Sequence, residues 1–461
     1  MGNTNTIVAA LDIGTTKICA IVARRTDYGK IEVLGVGKSA SEGVRRGVIS
    51  NIDKTVYAIE EAVEEAKRRS GIDITNVYVG IAGQHIKSQK HRGYLMRNHD
   101  EQEIDLNDIE RLVTDMYKLR LDPGEQIIHV LPQEFTIDGQ PNIKDPIGMS
   151  GVRLEADFHV ITGQDAAIKN INRCVEKAGL KVAGLILEPL ASAEAVLNDE
   201  ELEAGVALVD IGGGTTDIAI FQEGIIRHTA VIPLGGNIVT EDIKEGCMVM
   251  QDQAEKLKVK FGCALVTEAK ENAVVSIPGI RGRSPKEISV RNLSHIIQAR
   301  MEEILEHVYF EIRRSGFENK LIGGIVATGG GARLKFLDFL TEFVSGMDAR
   351  VGIPSEHLVN PNYRDLNDPI FATAVGLVIM AMENQDPVEA TEAVAAAAIA
   401  APDEMLPMDV PVVDETPLER PKDDFQDIYQ EETSSKSSGS WWDNLVRKSK
   451  EWLEGDMNDY N

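Results

Sequence analysis

Leu11-Asp12-Ile13-Gly14-Thr15-Thr16-Lys17 near the N-terminus returns, little altered, as Val209-Asp210-Ile211-Gly212-Gly213-Gly214-Thr215-Thr216-Asp217. Each copy follows an apolar run (Ile7 to Leu11; Val206 to Val209) and leads into another (Ile18 to Ala23; Ile218 to Phe221). The pattern predicts strand, Gly/Thr turn, strand. Glycines let backbone N–H groups approach an anion, threonine hydroxyls add donors, and an Asp at a strand end can orient a metal ion or its waters. Two such turns, about 200 residues apart, predict a duplicated α/β domain closing on phosphates from both sides.

With 461 residues the chain can hold two or more domains with real cores. A hydrophobic content of 43% with few aromatics fits a soluble α/β protein. The net charge of -26 argues against nucleic acid as a partner, because phosphate repulsion would have to be overcome locally. Cys19, Cys174, Cys247 and Cys263 are scattered, with no metal spacing, and read as reduced thiols in a cytosolic protein. No signal peptide is expected, and no apolar run approaches the roughly 20 residues of a membrane span. None of the nine histidines lies in an HExxH arrangement or beside a cysteine partner.

Outward from the first phrase, Ile31 to Gly37 predicts a strand. Ser50 and Asp53 suggest a helix start, Ile52, Val56, Ile59, Val63 and Ala66 recur at helical spacing, and Gly71 supplies the stop. Val77 to Ile81 predicts another strand. Residues 84–161 break the pattern with a basic cluster, a polar helix near Leu106 to Leu119 and strand pieces at Gln126 to Leu131 and Glu134 to Ile137. This block reads as an inserted subdomain. A helix from Asp165, a strand from Lys181 and a helix after Glu188-Pro189 lead to the second phrase. Residues 237–320 read as largely helical. Ile322 to Ala327 enters a third turn, Gly329-Gly330-Gly331-Ala332, with a helix expected from Leu334. Asp368-Pro369 opens a last apolar helix.

Beyond residue 384 the composition shifts. From 385 to 440 there are six prolines and 14 acidic residues against Arg420, Lys422 and Lys436, a mixture that cannot bury enough apolar surface to order itself. The last 21 residues differ again: Trp441, Trp442, Leu445, Val446, Trp452 and Leu453 fall on one helical stripe beside Arg447, Lys448 and Lys450. A membrane-surface helix fits this stripe best. A partner-binding helix, or a helix packed back on its own domain, are the other readings.

The three Gly-rich turns favour a nucleotide phosphate chain, since the third joins a strand to a helix, whose N-terminus attracts negative charge. There is no GxxxxGK[ST] loop, and no convincing GxGxxG after the first strand. The order of turns, inserted block and connecting helix resembles the actin/Hsp70/sugar-kinase ATPase superfamily. Within it, ALDIGTTK (10–17), VYVGIAGQHI (77–86), LEPLASAEAVL (187–197), ALVDIGGGTTDIAI (207–220), VIPLGGNIVTEDI (231–243), AEKLKVKFG (254–262) and VATGGGARL (326–334) resemble the bacterial cell-division FtsA family over about residues 5–384 and the last 20.

The resemblance implies an actin-like fold. Residues 5–83 with 162–200 would form one core (1A), with 84–161 inserted (1C). Residues 201–236 with 321–384 would form the second core (2A), with 237–320 attached (2B). It implies ATP and Mg2+. Gly14, Thr15, Thr16 and Lys17 would hold the phosphates from one side and Gly212, Gly213, Gly214, Thr215 and Thr216 from the other. Asp12 and Asp210 would hold the metal through its waters. Gly329, Gly330, Gly331 and Ala332 would flank the ribose and adenine, with Glu255 and Lys258 opposite. Glu188 would orient the attacking water in what is at most a weak ATPase. Implied partners are the FtsZ C-terminal tail near Arg291 and Arg300 (with Arg281 and Arg283 nearby), further copies of the chain in a filament, other division proteins at the insert, and lipid at the tail, on the cytoplasmic face of the cell membrane. A small-molecule kinase of the same superfamily is the alternative, but it has no use for a tethered amphipathic tail. A chaperone would need a folded peptide-binding domain after residue 384.

Overall fold

The computed structural model describes residues 7–26, 30–97, 103–278, 284–354, 358 and 361–383. The linker 385–440, the tryptophan stripe 441–461, and Arg281 and Arg283 lie outside these residues.

The first phrase is the turn of a hairpin. β1 (Ile7–Ile13) pairs antiparallel with β2 (Lys17–Arg25), and β2 with β3 (Ile31–Ala40). A two-rung ladder of β4 (Val44–Arg45) and β5 (Val48–Ile49) leads to α1 (Ile52–Ser70). The helix is capped by Asn51, whose side chain accepts from the Lys54 amide, and it ends at Gly71 in the left-handed region (φ 69°). Ser50 is not the cap. Its hydroxyl instead donates to the Gly43 carbonyl. β6 (Asn76–Ile81) runs parallel to β1.

The insert follows. It comprises β7 (Ile86–Met96), α2 (Leu106–Met116), β8 (Glu125–Ile137), β9 (Gln140–Ile143) and β10 (Arg153–Gln164), with sheet order β7-β10-β8-β9. The two strand pieces expected around Pro132 are one strand. Pro132 and Glu134 pair with successive residues of β10, so Gln133 bulges out and the ladder survives the missing N–H. Behind the sheet, Leu112, Phe135, Leu154 and Phe158 are fully buried in a core of their own.

α3 (Asp165–Lys177) and β11 (Lys181–Leu187) complete the first sheet, whose order is β11-β6-β1-β2-β3. After α4 (Glu188–Val196) and α5 (Asp199–Ala204), the second half repeats this plan with β12 (Val206–Ile211), β13 (Thr216–Gln222) and β14 (Ile225–Ile232). α6 (Gly236–Cys247), α7 (Gln251–Phe261), β15 (Val274–Ile277), β16 (Lys286–Ser289) and α8 (Val290–Ser315) form its helical attachment. β17 (Ile325–Thr328), α9 (Leu337–Ser345) and β18 (Ala349–Val351) close the sheet, with order β14-β13-β12-β17-β18. Three antiparallel strands followed by two parallel ones, in the same spatial order, make the two halves structural repeats.

The last helix, α10 (Ala372–Glu383), departs from the sequence reading. That reading kept residues 321–384 with the second half, but α10 packs into the first half's core, against α4, β1 and β2. Gly376 permits the close crossing, since a Cβ there would sit 1.6 Å from the Ala191 carbonyl oxygen. α4 in turn touches β6 and β11 of one half and β12 and β13 of the other. The two crossed helices therefore join the halves. All four cysteines are free and buried, and among the described residues no helix is long and apolar enough to cross a membrane.

Candidate functional site

The two hairpin turns close with matching hydrogen bonds. The Gly14 amide donates to the Lys17 carbonyl at 3.0 Å, and the Gly212 amide to the Thr215 carbonyl at 2.9 Å. Register aligns Asp12 with Asp210, both one residue before the turn's first rung. The turns face each other across a cleft of about 270 Å³ between the halves. They are so close that a Cβ at Gly213 would lie 1.9 Å from the Thr16 hydroxyl, and one at Gly214 2.8 Å from the Thr15 hydroxyl. The amides of Thr15, Thr16, Gly213 and Gly214 find no acceptor among the described residues. Convergent, unpaired N–H groups of this kind form a cradle for an anion.

The third turn arrives beside the second because Thr328 of β17 pairs with Asp210. Gly329, at φ 81°, passes so near that a Cβ would meet the Asp210 Oδ1 at 2.2 Å. Gly329, Gly330 and Gly331 all line the cleft, as do Glu255 and Lys258 of α7 on the opposite wall. The Lys258 ammonium donates to the Gly236 carbonyl and the Thr240 hydroxyl, both at 2.8 Å, and pairs with Glu255. The α-helix expected from Leu334 starts three residues later. Gly330–Arg333 form a tight 3-10 turn and Phe336 adopts a left-handed conformation before α9 begins.

Two expected residues point elsewhere. Thr216 is already in β13, fully buried, and its hydroxyl donates to the Leu234 carbonyl. Ala332 is packed in the second core, behind the turn. The cause for Thr216 is register: counted from the aspartates, Lys17 corresponds to Thr215, so the second turn is Gly212–Thr215 alone. Of the two arginines singled out in the helical attachment, Arg300 is engaged by Asp242 and Glu303. Arg291 makes an exposed pair with Glu271 at 3.2 Å.

Four carboxylates converge in the cleft: Asp12, Glu188, Asp210 and Asp217. Burial raises the Asp12 pKa against the pull of Lys17, whose ammonium is 3.6 Å away. Burial, then the charges of Asp12, Asp217 and Asp210, push Glu188 well above the carboxylate range. Asp210 is raised by burial and restrained by hydroxyls of Ser192 (2.7 Å, from α4) and Thr373 (3.1 Å, from α10). Burial, then Asp210, takes Asp217 to about 7. One lysine beside them does not offset these four acids, of which Asp12, Asp210 and Asp217 are buried, and Lys17 also donates to the Ile370 carbonyl and lies over the Phe371 ring. A divalent cation is the chemical complement of this excess. Among the described residues no three His, Cys, Asp or Glu side chains stand close enough to ligate one ion directly.

Asp217, Ser192 and Thr373 were not singled out as site residues from sequence. Asp217 ends the repeated phrase and was legible there. Ser192 and Thr373 are hydroxyls on two distant helices, which no local signal connects to Asp210.

The raised acids carry a pH prediction. A carboxyl with a folded pKa above its unfolded value holds its proton longer in the native state, so stability falls as pH rises from about 4 towards about 7. Between pH 5.5 and 8 the metal-free protein should lose thermal stability, and Asp217→Asn should flatten the profile. A profile identical in the variant would remove Asp217 as the cause.

Two repeated α/β halves around one cleft, joined by crossed helices, define an actin-like fold. A solved structure titled PilM-PilN type IV pilus biogenesis complex shares it, with a TM-score of 0.60 at 16% identity over 81% of this chain and 98% of that one. The family model described as Cell division protein FtsA matches residues 207–376, and that of the SHS2 domain inserted in FTSA matches 83–162. FtsA of Pseudomonas aeruginosa is 40% identical over 379 residues, covering 82% of this chain and 90% of its own. FtsA of Bacillus subtilis is 37% identical, covering 83% and 85%. The chain belongs to the FtsA family of cell-division proteins.

Proposed function

We propose that this cell-division protein binds ATP with Mg2+ in the cleft, polymerises on the cytoplasmic face of the cell membrane and ties the FtsZ ring to it. The observation that carries the nucleotide reading is the pairing of two amide-lined turns beside an uncompensated acid cluster. The turns would take the phosphates. Asp12 and Asp210 would hold hydrated Mg2+, which would neutralise charge on the phosphate chain. Gly329 to Gly331, with Glu255 and Lys258 opposite, would take the nucleoside. Glu188 would orient a water for slow hydrolysis, and bound ATP would act chiefly as a switch for assembly.

The FtsZ tail is assigned to the helical attachment, other division proteins to the insert, and lipid to the C-terminal stripe. With Arg300 engaged internally, Arg291 is the more available cation for an acidic tail. Titration of the full chain with a fluorescent ATP analogue tests the cleft: chelating Mg2+ should weaken binding by roughly tenfold or more, since several raised acids would then face the phosphates alone. Equal affinity without metal would remove Asp12 and Asp210 from the metal's keeping. No binding at all would overturn the nucleotide reading.

A further inference from the structure

The insert reaches the cleft's chemistry through a buried contact to the start of α4. β11 is the edge of the first sheet, and its last residue, Leu187, is the cap of α4. No side chain caps that helix. The Leu187 amide itself donates to Nε2 of His129, 3.2 Å away, on β8 of the insert. His129 is 3% exposed. A backbone amide can only donate, so Nε2 must be the unprotonated nitrogen, and burial holds the ring neutral by lowering its pKa to about 4. The next residue in the chain is Glu188. Its side chain lies over Gly80 of β6, where a Cβ would meet Glu188 Cγ at 3.0 Å, and it faces the acid cluster.

The insert also grips the strand behind Asp217. Gln133, the bulged residue of β8, donates to the Ile226 carbonyl at 2.6 Å. His159 contacts the Thr229 hydroxyl at 3.2 Å, and Ser88 donates to the Thr229 carbonyl at 3.3 Å. These are residues of β14, the partner of β13, which carries Asp217. A small cavity lined by Ser88, Leu187, Pro189, Asp217 and Thr229 lies where the three elements meet.

We propose that His129 is a positioning residue: by holding the Leu187 amide it sets the placement of Glu188, and so couples the inserted subdomain to the nucleotide cleft. This rests on Glu188 orienting the attacking water. Anything that shifts β8, such as a partner docked on the insert, then shifts the first turn of α4 with it.

Single-turnover hydrolysis of Mg-ATP by the full chain tests this with four proteins: His129→Leu, His129→Gln, Glu188→Gln and the double variant His129→Leu/Glu188→Gln. Leucine fills the space but accepts nothing. It should slow hydrolysis roughly tenfold, as a small misplacement of a reacting group does, with ATP affinity within about twofold. Glutamine, whose carbonyl can accept from Leu187, should recover most of the rate. Added to Glu188→Gln, the leucine substitution should slow nothing further. An unchanged rate in His129→Leu, or the same tenfold loss in both backgrounds, overturns the coupling while leaving Glu188's role intact. Wild-type behaviour of Glu188→Gln instead removes that role, and the proposal with it. Should His129→Leu fail to fold, hydrogen exchange of the wild type decides: ATP should change protection in 125–137 together with 187–191, and a silent β8 overturns the proposal.

Discussion

Gly214→Asp should cost ATP affinity roughly a hundredfold or more, about 3 kcal/mol, and leave the protein folded. A side chain at Gly214 meets Thr15 Oγ1 at 2.8 Å, Thr15 Cγ2 at 2.9 Å and the Arg46 Cα at 3.0 Å. All three atoms belong to the opposite half. The crowding can therefore be relieved by opening the cleft, with no loss of either core. The added carboxylate would also lie among the proposed phosphates. Two like charges at 4 Å repel by about 4 kcal/mol at the effective dielectric of a protein surface, enough alone for the predicted loss. Calorimetric titration with Mg-ATP gives the affinity, and thermal melting shows whether the fold is intact. Affinity within threefold of the unsubstituted chain would sink the assignment of this turn.

Truncation after residue 440 should abolish pelleting with liposomes. The stripe of Trp441, Trp442, Leu445, Val446, Trp452 and Leu453 holds all three tryptophans of the chain. Aromatic rings of this type settle at the membrane interface, where the ring is sheltered and the N–H stays wet. Asp443, Glu451, Glu454 and Asp456 weaken attraction to anionic lipid, so apolar insertion must dominate. Binding should then survive about 0.5 M salt, which shortens the Debye length to a few ångströms. One short helix binds marginally, and several tails on one filament multiply the effect. Equal pelleting of full-length and truncated protein would overturn the anchor reading.

The hairpins, the insert and the cleft were legible because each rests on local chemistry. Glycine and threonine mark the turns, apolar runs mark the strands, and a basic, irregular block interrupts them. The failures arose where tertiary structure decides. The sequence reading counts Thr216 among the phosphate contacts, whereas strand register makes Thr215 the last turn residue and buries Thr216. α10 reads as the end of the second half, yet Gly376 lets it cross α4 and pack on the first. Ser192 and Thr373 are unremarkable hydroxyls until that crossing brings both to Asp210. His129 carries no motif, since its partner is a backbone amide 58 positions away.

The crossing of α4 and α10 also has the properties of a fulcrum. Its two backbones meet at Gly376 and Ala191 with no room for slack, and the hydroxyls that hold Asp210 sit on these same helices. In rotation about an axis, displacement grows with lever arm. If the halves swing about this point, Asp210 travels little, while the facing tips at Thr15, Thr16, Gly213 and Gly214 travel furthest. A ligand held between the halves would then be loosened at the tips first and beside Asp210 last.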